Sequence, residues 1–213
     1  MPVSIGIDLA WTRKNLSAIA VLSEELALLD FNFALGDEEI VEFIEAFEDG
    51  KKIVCIDAPL IFPKEPESFR SCENLMRERG IRILPVQQGF YLKKFGCLRG
   101  PELVKVLEKK GYVLSVARSE RQIIEVYPHA TWKRLLKTVP KYKNLATERK
   151  VKALEVLKDR LQSFGVKGIG KVVLEQENAA DLIDALVCAL VGIWHWEGKA
   201  TVVGNEKEGF IVY

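Results

Sequence analysis

Two aspartates interrupt the most apolar stretch of the chain. From Ala179 to Trp194 the sequence reads AADLIDALVCALVGIW, with Asp181 and Asp184 its only strongly polar residues. A helix apolar on nearly every side is buried, and an unpaired buried carboxylate costs several kcal/mol or more. At spacing i, i+3 the two acids project from one face. Adjacent anions repel, so a cation must hold them together. A divalent metal does this well, whereas one basic side chain is ordinarily matched to one acid. The competing explanation is a helix start near Asn178, where unpaired N–H groups favour carboxylates.

Three further acids fall at the ends of predicted strands. Asp8 closes the run VSIGID and shares its face with Ser4, Gly6 and Ala10, small residues that leave room for a helix or a ligand. Asp57 precedes Ala58-Pro59, where an Asp also commonly closes a turn. Glu125 lies in IIEVYP and has two readings, a metal ligand or a buried partner of an Arg or Lys. Carboxylates without Cys or His are hard oxygen ligands suited to Mg²⁺ or Mn²⁺ rather than zinc. His129 follows a proline and His195 sits between two tryptophans, so both are expected to pack rather than ligate. A pair of ions about 4 Å apart would activate water and stabilise a departing oxygen. The predicted metal ligands are therefore Asp8, Asp57, Glu125, Asp181 and Asp184, with all but Glu125 also catalytic.

The elements that must position these acids follow from periodicity. Val3 to Leu9, Asn15 to Leu22 and Leu26 to Phe33 read as three closely spaced strands, hence an antiparallel meander. An amphipathic helix starts at Asp37 and stops at Asp49-Gly50; a fourth strand covers Lys52 to Ala58. A fifth covers Gln122 to Tyr127. Helices are predicted at Phe69–Arg79, Pro101–Lys110, Thr131–Lys137, Ala146–Phe164 and Asn178–Trp196, with a terminal hairpin. A right-handed crossover after the meander sets the fourth strand parallel to the first. The expectation is an α/β fold: a mixed five-stranded sheet of order 3-2-1-4-5 with flanking helices, one domain over 1–213. Residues 59–120 exceed a simple connection and form a helical cap insertion.

The 213 residues carry a formal net charge of +1, so only local charge speaks about partners. Arg70, Arg77, Lys93, Lys94 and Arg99 lie in a basic stretch interleaved with Phe69, Phe90, Tyr91 and Phe95. A second run holds Lys133, Arg134, Lys141, Lys143 and Lys150 with Trp132 and Tyr142. Phosphates on the cations and unstacked bases on the rings would make nucleic acid the partner. Solvated helix faces, or local neutralisation of Glu73 and Glu78 by Arg70 and Arg77, account for the same residues. The opening MPVSIGIDLAW lacks the pattern of a secretory signal, the four cysteines form no C-x-x-C pair, and the apolar stretch carries two acids. A cytoplasmic protein that does not span a membrane is expected. Trp194, Trp196 and Tyr213 are candidates for a homo-oligomer interface.

The GID at 6–8 and the D-x-x-D-A-L at 181–186 resemble RNase H-like nucleases of the RuvC resolvase type. GIDLAW at 6–11, IDAPL at 56–60, R-x-C-E at 70–73, LRG at 98–100, IEVYP at 124–128 and EGFIVY at 208–213 resemble domain-of-unknown-function family 429. That family is described as predicted RNase H-like nucleases. The resemblance implies an RNase H-like fold and metal-bound acids at Asp8, Asp57, Asp181 and Asp184, with Glu125 a fifth. It also implies phosphodiester hydrolysis leaving 5′-phosphate and 3′-hydroxyl ends. Asp57 departs from the RuvC type, which typically has Glu there, so a shorter side chain must reach the metal through water or yield to Glu125. A phosphohydrolase of nucleotides or small phosphate esters, and a non-catalytic binding protein, are the alternatives. An actin-like ATPase is disfavoured, because only one copy of the strand pattern is present.

Overall fold

The computed structural model describes residues 2–47, 50–63 and 69–213. The helix stop expected at Asp49 and residues 64–68 of the expected cap lie outside them.

Strands β1 (Val3–Asp8), β2 (Ser17–Ser23) and β3 (Leu28–Ala34) form the antiparallel meander. After helix α1 (Asp37–Glu45) the chain crosses back into β4 (Lys52–Asp57), parallel to β1. Helices α2 (Ser71–Glu78), α3 (Gln88–Phe95) and α4 (Arg99–Glu108) lead to β5 (Val113–Leu114) and β6 (Arg121–Glu125). Helices α5 (Pro128–Leu135), α6 (Thr147–Ser163) and α7 (Ala179–Glu197) follow, then the hairpin β7 (Val202–Asn205) and β8 (Gly209–Val212).

The main sheet has the order β3-β2-β1-β4-β6-β5. It is a mixed sheet with helices on both faces, of six strands rather than the expected five. The extra strand is the two-residue β5, parallel to β6 at the open edge. Two residues are too few to show a period, which is why the sequence pattern passes over it. Helix α3 was also unpredicted, because Gly89 and Gly96 read as breaks. Gly89 sits inside its first turn, and Gly96 ends it with φ 76°, the left-handed conformation typical of a helix stop. Helix α5 starts at Pro128, earlier than the expected Thr131, since proline suits a first helical position.

The sheet separates two apolar layers. One packs α1 and α4 against Ile5, Ile7, Val54, Ile56 and Ile123. The other places α7, with α5 and α6 behind it, over Ala18, Ala20, Cys55 and Ile124. A smaller cluster joins α2 to the terminal hairpin. Helix α7 is long and apolar enough to span a membrane by composition, yet its apolar side chains are enclosed by the sheet and neighbouring helices. Trp194 and Tyr213, proposed above for an interface, are buried within the chain.

Helix α7 approaches β1 closely because of what β1 lacks. A Cβ on Gly6 would collide with the Ala185 carbonyl, the Ala189 nitrogen and the Cys188 side chain. Ser4 Oγ donates 2.7 Å to the Ala189 carbonyl, and Gly192 leaves space for Ser4 and Cys55. Small residues on both elements thus allow near backbone contact, bringing the first turns of α7 to the carboxyl end of β1.

Candidate functional site

Asp8 ends β1 and Asp57 ends β4, and they are register partners on adjacent parallel strands. Their Cα atoms are therefore roughly 4.8 Å apart, with both side chains on the α7 face. From α7, Asp181 and Asp184 project toward the same point. Asp184 is almost wholly buried, Asp8 is 14% exposed and Asp181 38%. Four of the five predicted metal ligands therefore meet at one sheet edge.

Glu125 does not join them. Its register partner is Ile56, not Asp57, so it belongs to the opposite face of the sheet. There Arg70 grips it through Nη2 (2.6 Å to Oε1) and Nη1 (3.0 Å to Oε2), and the Leu60 N–H donates to it as well. The alternation of strand residues makes a one-residue offset decisive.

The cation at the acidic cluster is Lys143. Its Nζ lies 2.8 Å from Asp8 Oδ2, 2.8 Å from Asp184 Oδ2 and 3.1 Å from Asp181 Oδ1. One ammonium thus serves three carboxylates, against the expectation that one base matches one acid. Asp184 Oδ1 accepts further bonds from Trp132 Nε1 at 3.0 Å and Tyr142 Oη at 2.9 Å. The irregular segment 136–146, with Asn144 in the left-handed region at φ 57°, delivers Tyr142 and Lys143 to the site. Trp132 and Tyr142, grouped above as stacking platforms for bases, instead orient Asp184; Trp132 is fully buried.

Lys143 does not neutralise the cluster. Asp57 accepts no hydrogen bond among the described residues, nor does Asp8 Oδ1 or Asp181 Oδ2. Burial, together with the charges of Asp184 and Asp181 and against the pull of Lys143, pushes the Asp8 carboxyl up to about 7. Burial, then the charges of Asp8 and Asp184, holds Asp57 well above its ordinary value. Burial opposes the Lys143 charge, but Asp184, Asp8 and Asp181 outweigh it and raise its pKa. Asp8 and Asp57 are therefore held toward their protonated forms unless a further cation enters. Among the described residues no ready cage of His, Cys, Asp or Glu encloses a metal position. The oxygens that lack partners are nevertheless hard donors, of the kind that hold Mg²⁺ or Mn²⁺.

The five cations expected to contact substrate divide. Arg70 is buried between Glu73 (Nε to Oε1, 2.8 Å) and Glu125. Arg99 is buried against Asp37 and donates to the carbonyls of Ala10, Thr12 and Leu35. Both are corrections: each is almost wholly buried and paired, Arg70 in the wall of a cavity it shares with Asp57 and Glu125, while Arg99 anchors the turn that follows Asp8. Arg77, Lys93 and Lys94 are exposed. Arg77 lies 4.0 Å over the Phe69 ring and Lys94 beside Phe90 and Phe95. His195 is buried and within 3.0 Å of the Val116 carbonyl, away from the acids.

A cavity of 170 Å³ adjoins Asp57, walled by Trp11, Tyr91, Tyr127, Leu84 and Val86. A larger one of 590 Å³ lies at the opposite end of the strands, between Pro2, Lys51, Glu120 and Trp196, and is lined by none of Asp8, Asp57, Asp181 and Asp184.

The family model described as "Protein of unknown function (DUF429)" matches residues 6–208, so the chain belongs to that family. Comparison with curated proteins gives no match, and neither does comparison with solved structures.

Proposed function

We propose that this member of family 429 is a Mg²⁺- or Mn²⁺-dependent nuclease with an RNase H-like fold, hydrolysing phosphodiester bonds at the Asp8–Asp57–Asp181–Asp184 site. The observation that carries the proposal is the convergence of four acids on one sheet edge with, among the described residues, a single ammonium to balance them. The carboxyl ends of parallel strands are also where α/β sheets bind ligands. The meander followed by a crossover to a parallel strand is the topology the RNase H-like reading requires.

A divalent ion bound there would lower the pKa of water and offset charge developing on the phosphate. Asp57 and Asp8 would hold it, and Asp184 would keep its orientation through Trp132 and Tyr142. Arg77, Lys93 and Lys94 are the exposed cations available to the nucleic acid backbone. Ring walls beside Asp57 suit stacking of an unpaired base.

A second reading, a phosphohydrolase of nucleotides or small phosphate esters, draws support from the modest size of the same cavity. The test is cleavage of labelled single-stranded, duplex and junction DNA and RNA with Mn²⁺, beside an Asp8→Asn/Asp184→Asn double variant. Metal-dependent cutting that the variant loses supports the nuclease. Hydrolysis confined to mononucleotides transfers the assignment to the second reading, and turnover that survives the double substitution removes the site from both.

A further inference from the structure

The four acids outline two places for a cation, and Lys143 stands in one of them. Its ammonium donates to Asp8 Oδ2 and forms ion pairs with Asp181 Oδ1 at 3.1 Å and Asp184 Oδ2 at 2.8 Å. Asp184 already has three partners for the roughly four places a carboxylate offers: Trp132 and Tyr142 at Oδ1, with the same Tyr142 hydroxyl 3.2 Å from Oδ2, and Lys143 at Oδ2. The other place lies at the strand ends. There Asp57 and Asp8 Oδ1 are free of hydrogen bonds among the described residues, and register holds the two residues side by side.

Lys143 is also held from behind. Tyr142 is tied to Asp184 by its hydroxyl, and Asn144 turns the chain through the left-handed region, which favours few residue types. Swinging the ammonium out would leave three carboxylates, the buried Asp184 among them, facing one another. Four ionised acids with Lys143 and one divalent ion come to a net charge of −1. Two ions with Lys143 retained would come to +1, with two like-charged groups competing for the same Asp184 oxygen.

We infer that Lys143 is the second cation of this site: one divalent ion binds at Asp57 and Asp8, and the Lys143 ammonium keeps the position a second ion would otherwise take. The inference rests on the metal-site reading above and narrows its expected ion pair to one ion plus a lysine. Lys143 is then a positioning residue. It holds Asp8, Asp181 and Asp184 in place and supplies positive charge on the α7 side of the site without itself needing to be loaded.

The test is the number of ions bound, read independently of turnover. The full chain, stripped with chelator, is titrated with Mn²⁺ by calorimetry, and electron paramagnetic resonance of the loaded protein reports whether bound ions are exchange-coupled as a pair. The native protein is expected to take one ion with an uncoupled signal. Lys143→Met is expected to take two with a coupled signal, and Lys143→Arg, which keeps the charge, to stay at one. Two ions on the native protein would overturn the inference while leaving the metal site intact. No ion on the native protein would overturn both. Because the native stoichiometry alone can refute the inference, it stays testable even if Lys143→Met does not fold.

Discussion

Arg70→Met separates a structural arginine from a substrate-binding one. The Arg70 side chain is 1% exposed, between Glu73 at 0% and Glu125 at 7%, and donates four hydrogen bonds: to Glu73, the Ile61 carbonyl and both oxygens of Glu125. Methionine fills much of the volume but leaves two carboxylates facing each other without their cation. Removing one partner of a buried ion pair typically costs about 3–5 kcal/mol. That is a large share of a total stability of roughly 5–15 kcal/mol. For a chain of this size each kcal/mol shifts Tm by about 2–4 °C, so a fall on the order of 10 °C is expected. Thermal and urea unfolding of the purified variant measure it. Adding Glu125→Gln to Arg70→Met should recover part of the loss, because the amide oxygen can still accept from Leu60 while the charge is gone. The reasoning fails if Arg70→Met unfolds within about 2 °C of the native protein and instead weakens nucleic acid binding. Arg70 would then be reaching the solvent after all.

Other outcomes follow from the same geometry. Asp8 titrates near 7 in the folded chain against an ordinary value of 3.8, so the folded state binds the extra proton between those values. Stability in chelator should therefore fall as pH rises from about 4 to 7, by at most about 4 kcal/mol. His129 and His195, whose pKa values burial lowers, act in the opposite sense. The measurement is accordingly the difference in urea midpoint between the native protein and Asp8→Asn. A native advantage that grows with pH would contradict it, and saturating Mn²⁺ should flatten the dependence. Gly6→Ala should cost on the order of 1–3 kcal/mol or more by forcing α7 off β1, with weaker Mn²⁺ binding as Asp184 moves away from Asp8. Gly89→Ala, with open space around it inside α3, is the control and should be neutral or stabilising by up to about 1 kcal/mol. Equal unfolding midpoints for the two alanine variants would refute the close-packing account.

What could be read from the sequence alone were features set by local period and burial. The apolar run around Asp181 and Asp184 required a buried helix. Alternation put Asp8 on the face of Ser4 and Gly6, and three short strands followed by a helix implied the order around β1 and β4. These depend on neighbours a few residues away, and such neighbours are visible in a string. Family motifs spread along the chain pointed to the same acids.

Three things waited on the tertiary structure. Glu125 faces away because β6 pairs with β4 in a register that aligns it with Ile56, and register depends on where both strands begin. Arg70 and Arg99 looked like members of a basic surface because charge runs do not reveal which members turn inward to meet Glu125 and Asp37. Lys143 stands 135 positions from Asp8 on an irregular segment. No period governs such a segment, since its path is set by what packs on either side of it. The sequence by itself therefore determined on which elements the clustered acids stand and that Asp184 is buried. Only the folded chain decided which cation meets them, because a partner across such a distance is chosen by packing and not by pattern.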